Sequence, residues 1–102
     1  MHFVYILYSP AYDRFYIGET SDVPGRTLQH NSKHYTQAST SFTNDWRTVL
    51  TWKLNNRSDA LIIEAYLKSM KSKKYLRMLC SDNNALETFN RRVFEKFQIS
   101  FL

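Results

Sequence analysis

Phe3-Val4-Tyr5-Ile6-Leu7-Tyr8, Ser9-Pro10-Ala11-Tyr12-Asp13 and Arg14-Phe15-Tyr16-Ile17-Gly18, read in succession, decide the fold of this chain. The first six residues are apolar, with β-branched and aromatic members, and read as a strand buried on both faces. The next five read as a turn, because proline fixes φ and aspartate bonds its neighbouring backbone. Residues 14 to 18 return as a second strand, antiparallel to the first.

Further along, Ser21 or Asp22 can cap a helix with Pro24 in its first turn, where a missing N–H costs nothing. This helix is expected to run to about Ser32, with Val23 and Leu28 toward the core. Residues 33 to 45 are polar and rich in Thr and Ser, and read as a loop. Arg47 to Lys53 alternates as a third strand, Val49 and Thr51 opposed to Thr48, Leu50 and Trp52. Ser58 is expected to cap a helix through about Met70, with Ala60, Ile63, Leu67 and Met70 as its apolar stripe. A short helix over about Ser72 to Leu79 follows. Asn84 to Phe97 is amphipathic, with Leu86, Phe89, Val93 and Phe97 on one side. An exposed stripe of that size would be an interface, so it is expected to cover the domain's own helices or to form a homodimer contact. The fold class is α/β in the α+β sense: a small three-stranded antiparallel sheet flanked by helices.

A chain of 102 residues at 43% hydrophobic and 16% aromatic supports one domain with a modest core built on large side chains. No apolar run reaches the length of a membrane span, and the N-terminus shows no signal peptide, so a soluble protein that does not act at a membrane is expected. The single cysteine, Cys80, fits a reducing, cytoplasmic setting and reads as inert. Net charge is +5, and the excess sits in the middle segment, on Lys68, Lys71, Lys73, Lys74 and Arg77. Such a patch suits a polyanion, and equally suits a solvated helix face.

The two tyrosines Tyr5 and Tyr16, Gly18, Arg26 eight positions on, His30 one helical turn later, and Glu64 beside an apolar stripe form an ordered set. A site that cuts phosphodiesters needs such parts: a group that takes a proton, a cation for the phosphate and a carboxylate for a metal. Val4-Tyr5-Ile6, Tyr16-Ile17-Gly18-Glu19-Thr20-Ser21-Asp22, Arg26, His30-Asn31, Tyr35-Thr36 and Ser58-Asp59-Ala60 through Glu64 resemble the GIY-YIG nuclease family, closest to its small stand-alone bacterial members. Val4 stands where the name-giving motif has glycine. The resemblance spans about residues 3 to 79. It implies a GIY-YIG-like nuclease domain over residues 1–80, with residues 81–102 as a helical extension packed on the same domain. It implies a metal-dependent endonuclease acting on DNA, in repair or in processing of structured DNA. With no specificity domain in the chain, a homodimer or a specificity-conferring protein partner is expected. A second reading is a non-catalytic nucleic-acid-binding module that uses the basic helix 68–77 and exposed tyrosines.

Tyrosine is a poor base at neutral pH. The resemblance therefore gives Tyr5 the general-base role only with a metal present, with His30 sharing it or orienting the water. Tyr16 would bond the scissile phosphate or the water. Gly18 would let the backbone approach substrate or adopt positive φ. Arg26 offers a planar fork to a phosphate that gains charge, and His30, at i+4, shares its face. Asn31 and Tyr35 are further substrate-binding candidates, as are Lys68, Lys71, Lys73 and Lys74. Glu64 borders an apolar stripe where a charge is costly without a partner. It reads either as an ion pair with Lys68 or as the single protein ligand of Mg²⁺ or Mn²⁺, since Mg²⁺ keeps several waters and takes one or two carboxylates. No His/Cys pattern suggests zinc.

Overall fold

The computed structural model describes residues 1–32 and 40–102. Three strands, β1 (His2–Ser9), β2 (Arg14–Thr20) and β3 (Arg47–Leu54), and four helices, α1 (Val23–Asn31), α2 (Arg57–Ser69), α3 (Lys73–Ser81) and α4 (Asn83–Phe97), follow one another as β1-β2-α1-β3-α2-α3-α4. The sheet order is β2-β1-β3, antiparallel throughout. The central place of β1 explains why Val4 through Leu7 are all buried: each face of this strand is covered.

The two faces hold different things. Val4, Ile6 and Ile17 share a cluster with Trp52, Leu54, Ala60, Ile63, Leu67, Leu79, Phe89, Val93 and Ile99. This is the main core, and α2, α3 and α4 build its outer wall. Tyr5 and Leu7 point the other way, into a smaller cluster with Trp46, packed by Tyr16 and Val23. Antiparallel partners share a face, so Tyr5 opposite Gly18 and Leu7 opposite Tyr16 set that second surface. Of the catalytic candidates, Tyr5 and Tyr16 therefore sit on the side of the sheet away from the main core, while Glu64 comes from α2.

Three local expectations need correction. Asn56, not Ser58, caps α2, accepting from the Asp59 N–H. Asparagine caps as well as serine, so the one that comes first starts the helix. Leu28 is 70% exposed, so α1 meets the sheet through Val23 and His30 instead. The third concerns β3. Its register slips so that Ile6 faces Leu50 while Leu7 faces Thr48. The extra residue is Val49, a β-bulge that breaks the simple alternation. Thr48 thus turns to the α1 side, where its hydroxyl meets that of Thr27 at 3.0 Å, and Val49 and Leu50 both pack against the main core. Between Ser21 and Asp22, Asp22 is the α1 cap, accepting from Gly25 N–H, with Pro24 in the first turn.

The tail is part of the core. Phe89 and Val93 are fully buried, and Leu86 and Phe97 pack on them. Trp52 donates its indole N–H to Asn90 at 2.9 Å. Beyond α4, Phe101 lies 6.2 Å from the Trp52 ring, and the Leu102 N–H reaches the Lys53 carbonyl. No described helix is long and apolar enough to cross a membrane.

Candidate active site

Tyr5 is the hub. The hydroxyl end of its ring lies against Gly18 on the neighbouring strand, where an added Cβ would stand 2.6 Å from the phenol carbon Cζ. Gly18 is thus the seat of Tyr5. Its φ is not positive, so close approach is the reason for glycine, and the close partner is Tyr5. The hydroxyl of Tyr5 lies 3.2 Å from Nε2 of His30, which α1 turns inward as its one fully buried residue. Tyr16 closes the group, with its ring 4.9 Å from that of His30 and 6.3 Å from that of Tyr5.

His30 is gripped from its other side by Thr40, with Nδ1 2.8 Å from Oγ1. Burial, helped by the Arg26 charge, holds its pKa below the ordinary histidine value, so the ring is neutral near pH 7. A neutral ring has one donor and one acceptor. The consistent assignment has Nδ1–H donating to Thr40 while Nε2 accepts from the Tyr5 hydroxyl.

Tyr5 is only 1% exposed, and burial drives its pKa well above the ordinary tyrosine range. The neighbouring Tyr16 and the negative charge of Glu64 push the same way, while Arg26 opposes through its charge and a side-chain hydrogen bond. That balance places Arg26 and Glu64 within electrostatic reach of one hydroxyl, although they come from α1 and α2. Tyr5 at neutral pH is a donor.

Glu64 is partly buried on α2, its side chain 19% exposed, with Oε1 3.5 Å from Lys68 Nζ. The ion pair read from the sequence is therefore present. Among the described residues no three His, Cys, Asp or Glu side chains gather. Glu64 is the carboxylate of this group that could hold a divalent cation.

Asn31 sits beside the site with both ends of its amide on Trp46: Nδ2 donates to the carbonyl at 2.7 Å and Oδ1 accepts the backbone N–H at 2.6 Å. Trp46 in turn donates its indole N–H to the Thr40 carbonyl at 3.1 Å and faces Tyr16 at 6.4 Å. Tyr35 lies outside the described residues. Lys68, Lys71 and Lys73 line a cleft of about 550 Å³ next to Tyr16. Lys73 also meets Asp13 at 2.7 Å, and Arg77 shares that carboxylate at 2.8 Å. Lys74 is exposed on α3. Burial raises the Cys80 thiol, which suits an inert cysteine.

Sequence reasoning missed Thr40 and Trp46. Thr40 carried no signal, being one of several Ser and Thr residues in a polar stretch. Trp46 did: a large aromatic just ahead of a strand marks a wall, and the structure leaves it only 4% exposed.

The family model described as the GIY-YIG catalytic domain matches residues 1–77 of the 102. No match to this chain was found among curated proteins or among solved structures. The match covers the three strands, α1, α2 and the start of α3, and hence every described residue of the Tyr5 site. The chain belongs to the GIY-YIG family, whose catalytic domains are of nuclease type.

Proposed function

We propose that this protein is a metal-dependent endonuclease that hydrolyses phosphodiester bonds in DNA, suited to processing or repair of structured DNA. The observation that carries the reading is the convergence on the Tyr5 hydroxyl of His30 at 3.2 Å, the Arg26 cation and the Glu64 charge. A binding module has no use for a carboxylate among its lysines, nor for a buried phenol bonded to a neutral imidazole.

The roles follow from the protonation states. The buried phenol cannot ionise by itself, so Tyr5 acts as a relay. It takes the proton of the attacking water while passing its own to His30 Nε2, and His30, kept neutral, is the group that receives it. Thr40 fixes the tautomer in which Nε2 is the acceptor facing the Tyr5 hydroxyl. Arg26 presents its fork to the phosphoryl oxygens, whose charge grows in the transition state. Tyr16 bonds the phosphate or the water. Glu64 would hold a divalent cation, Mg²⁺ or Mn²⁺, which polarises the phosphoryl oxygen and steadies the leaving oxygen.

The test is a panel of labelled DNA and RNA structures incubated with Mg²⁺, Mn²⁺ or chelator. Cleavage is expected with metal only, and Glu64→Ala should abolish it while leaving folding and binding largely intact. Wild-type cleavage by Glu64→Ala would remove the metal-ligand role. Tight binding without any cleavage would favour the non-catalytic module.

A further inference from the structure

A row of rings runs from the surface to the Tyr5 hydroxyl, and its outer end has no part in the chemistry above. Tyr12, in the β1–β2 turn, is 55% exposed and meets Phe42, 38% exposed, edge-on at 5.0 Å. Phe42 meets Trp46 edge-on at 5.6 Å, and Trp46 leads to Tyr16 at 6.4 Å and so to His30. Tyr12 and Phe42 come from separate stretches of chain, and one carboxylate locks them together. Asp45 accepts from Ser9 Oγ at 2.5 Å, from the Ala11 N–H at 2.8 Å and from Thr43 Oγ1 at 2.7 Å. The pair is thus positioned in advance, with ring surface left in water.

The surroundings are cationic. The guanidinium of Arg14 stands 5.5 Å from the Phe42 ring centroid. Arg14 also lines the adjoining cleft of about 550 Å³ with Lys68, Lys71, Lys73 and Tyr16. Exposed rings with an arginine beside a basic cleft are what unpaired nucleobases require: each base stacks on an aromatic face while cations follow the phosphates. A duplex keeps its bases in its own stack and offers little to such rings. An apolar protein partner would gain nothing from the lysines.

We infer that Tyr12 and Phe42, with Arg14, form a stacking site for unpaired nucleobases that leads a single strand or a frayed end toward the Tyr5–His30 pair. The delivery to a cutting site rests on the nuclease reading; the binding itself does not.

The experiment is fluorescence anisotropy in chelator, where nothing is cut, with a labelled oligothymidine strand and a labelled hairpin duplex. The wild-type protein is expected to prefer the strand. Tyr12→Ala combined with Phe42→Ala should lose at least about tenfold on the strand, on the order of one stacked base, and less than about twofold on the duplex. Tyr12→Phe combined with Phe42→Tyr, which keeps both rings, should bind as wild type. Equal losses on strand and duplex, no loss on either, or a ring-retaining variant as weak as the alanine one would each overturn the inference. Strand binding that depends on the rings, together with no cleavage in Mg²⁺, would strike the nuclease reading and uphold the stacking site.

Discussion

At the scale of single residues, the site depends on what cannot ionise. Tyr5 is held as a phenol and His30 as a neutral ring by the same burial, and Arg26 adds its charge to keep the proton off His30. This has a consequence for stability. The unfolded chain binds a proton at this histidine from about pH 6.5 downward. The folded chain, with its lowered pKa, refuses that proton until a lower pH. Stability is therefore full above pH 6.5 and falls as the pH drops through that window. Urea unfolding midpoints at pH 7.5 and 5.5 should show the loss in the wild type and a smaller one in His30→Asn. Equal losses in the two proteins would mean that His30 is not the group responsible.

At the scale of elements, α4 completes the fold that carries the site, although it lies beyond the matched residues 1–77. Phe89 is fully buried, stacks on Tyr66 of α2 at 5.7 Å and meets the Trp52 ring of β3 at a tilt, 5.3 Å away. It thereby ties the helical wall to the edge strand. Phe89→Ala should cost about 3–5 kcal/mol, read as a lowered denaturant midpoint, which is a large share of the stability of so small a domain. A cost under about 1 kcal/mol would show that α4 is peripheral. The capping residues tell the same story in small: Asn56, Ser72 and Asp82 each accept from the first turn of the helix they start.

At the scale of the molecule, the positive charge is tempered by placement. Lys73 and Arg77 both lean on Asp13 of the β1–β2 turn, and Lys68 on Glu64. Asp13, at a φ of 52°, is in the left-handed region that asparagine also tolerates. Asp13→Asn should therefore keep the turn and release two cations. The salt dependence of duplex DNA binding should steepen by up to about two units, near 0.9 per phosphate contact. Neutralising Lys71 and Lys74 to Gln should flatten it by a similar amount. Unchanged slopes in both variants would return this face to the role of a solvated helix surface.

How much was legible differs by level. The sequence by itself determined the elements, because periodicity and turn chemistry are local: the Phe3–Tyr8 strand, the Pro10 turn, the Asp22 and Pro24 helix start and the stripe Ala60, Ile63, Leu67 all stand as read. It also determined the family, since Tyr5, Tyr16, Gly18, Arg26, His30 and Glu64 keep their order and spacing. Tertiary structure alone decided what these residues touch. A bulge at Val49 reassigned the faces of β3, Leu28 turned outward, and Gly18 proved to be the seat for a ring rather than a positive-φ position. Thr40 and Trp46 entered the site from a stretch with no periodic signal, through hydrogen bonds to His30 and Asn31. Their contacts join residues ten and fifteen positions apart, and only packing in three dimensions, which sets distance and burial and through them the protonation of Tyr5 and His30, can bring such partners together.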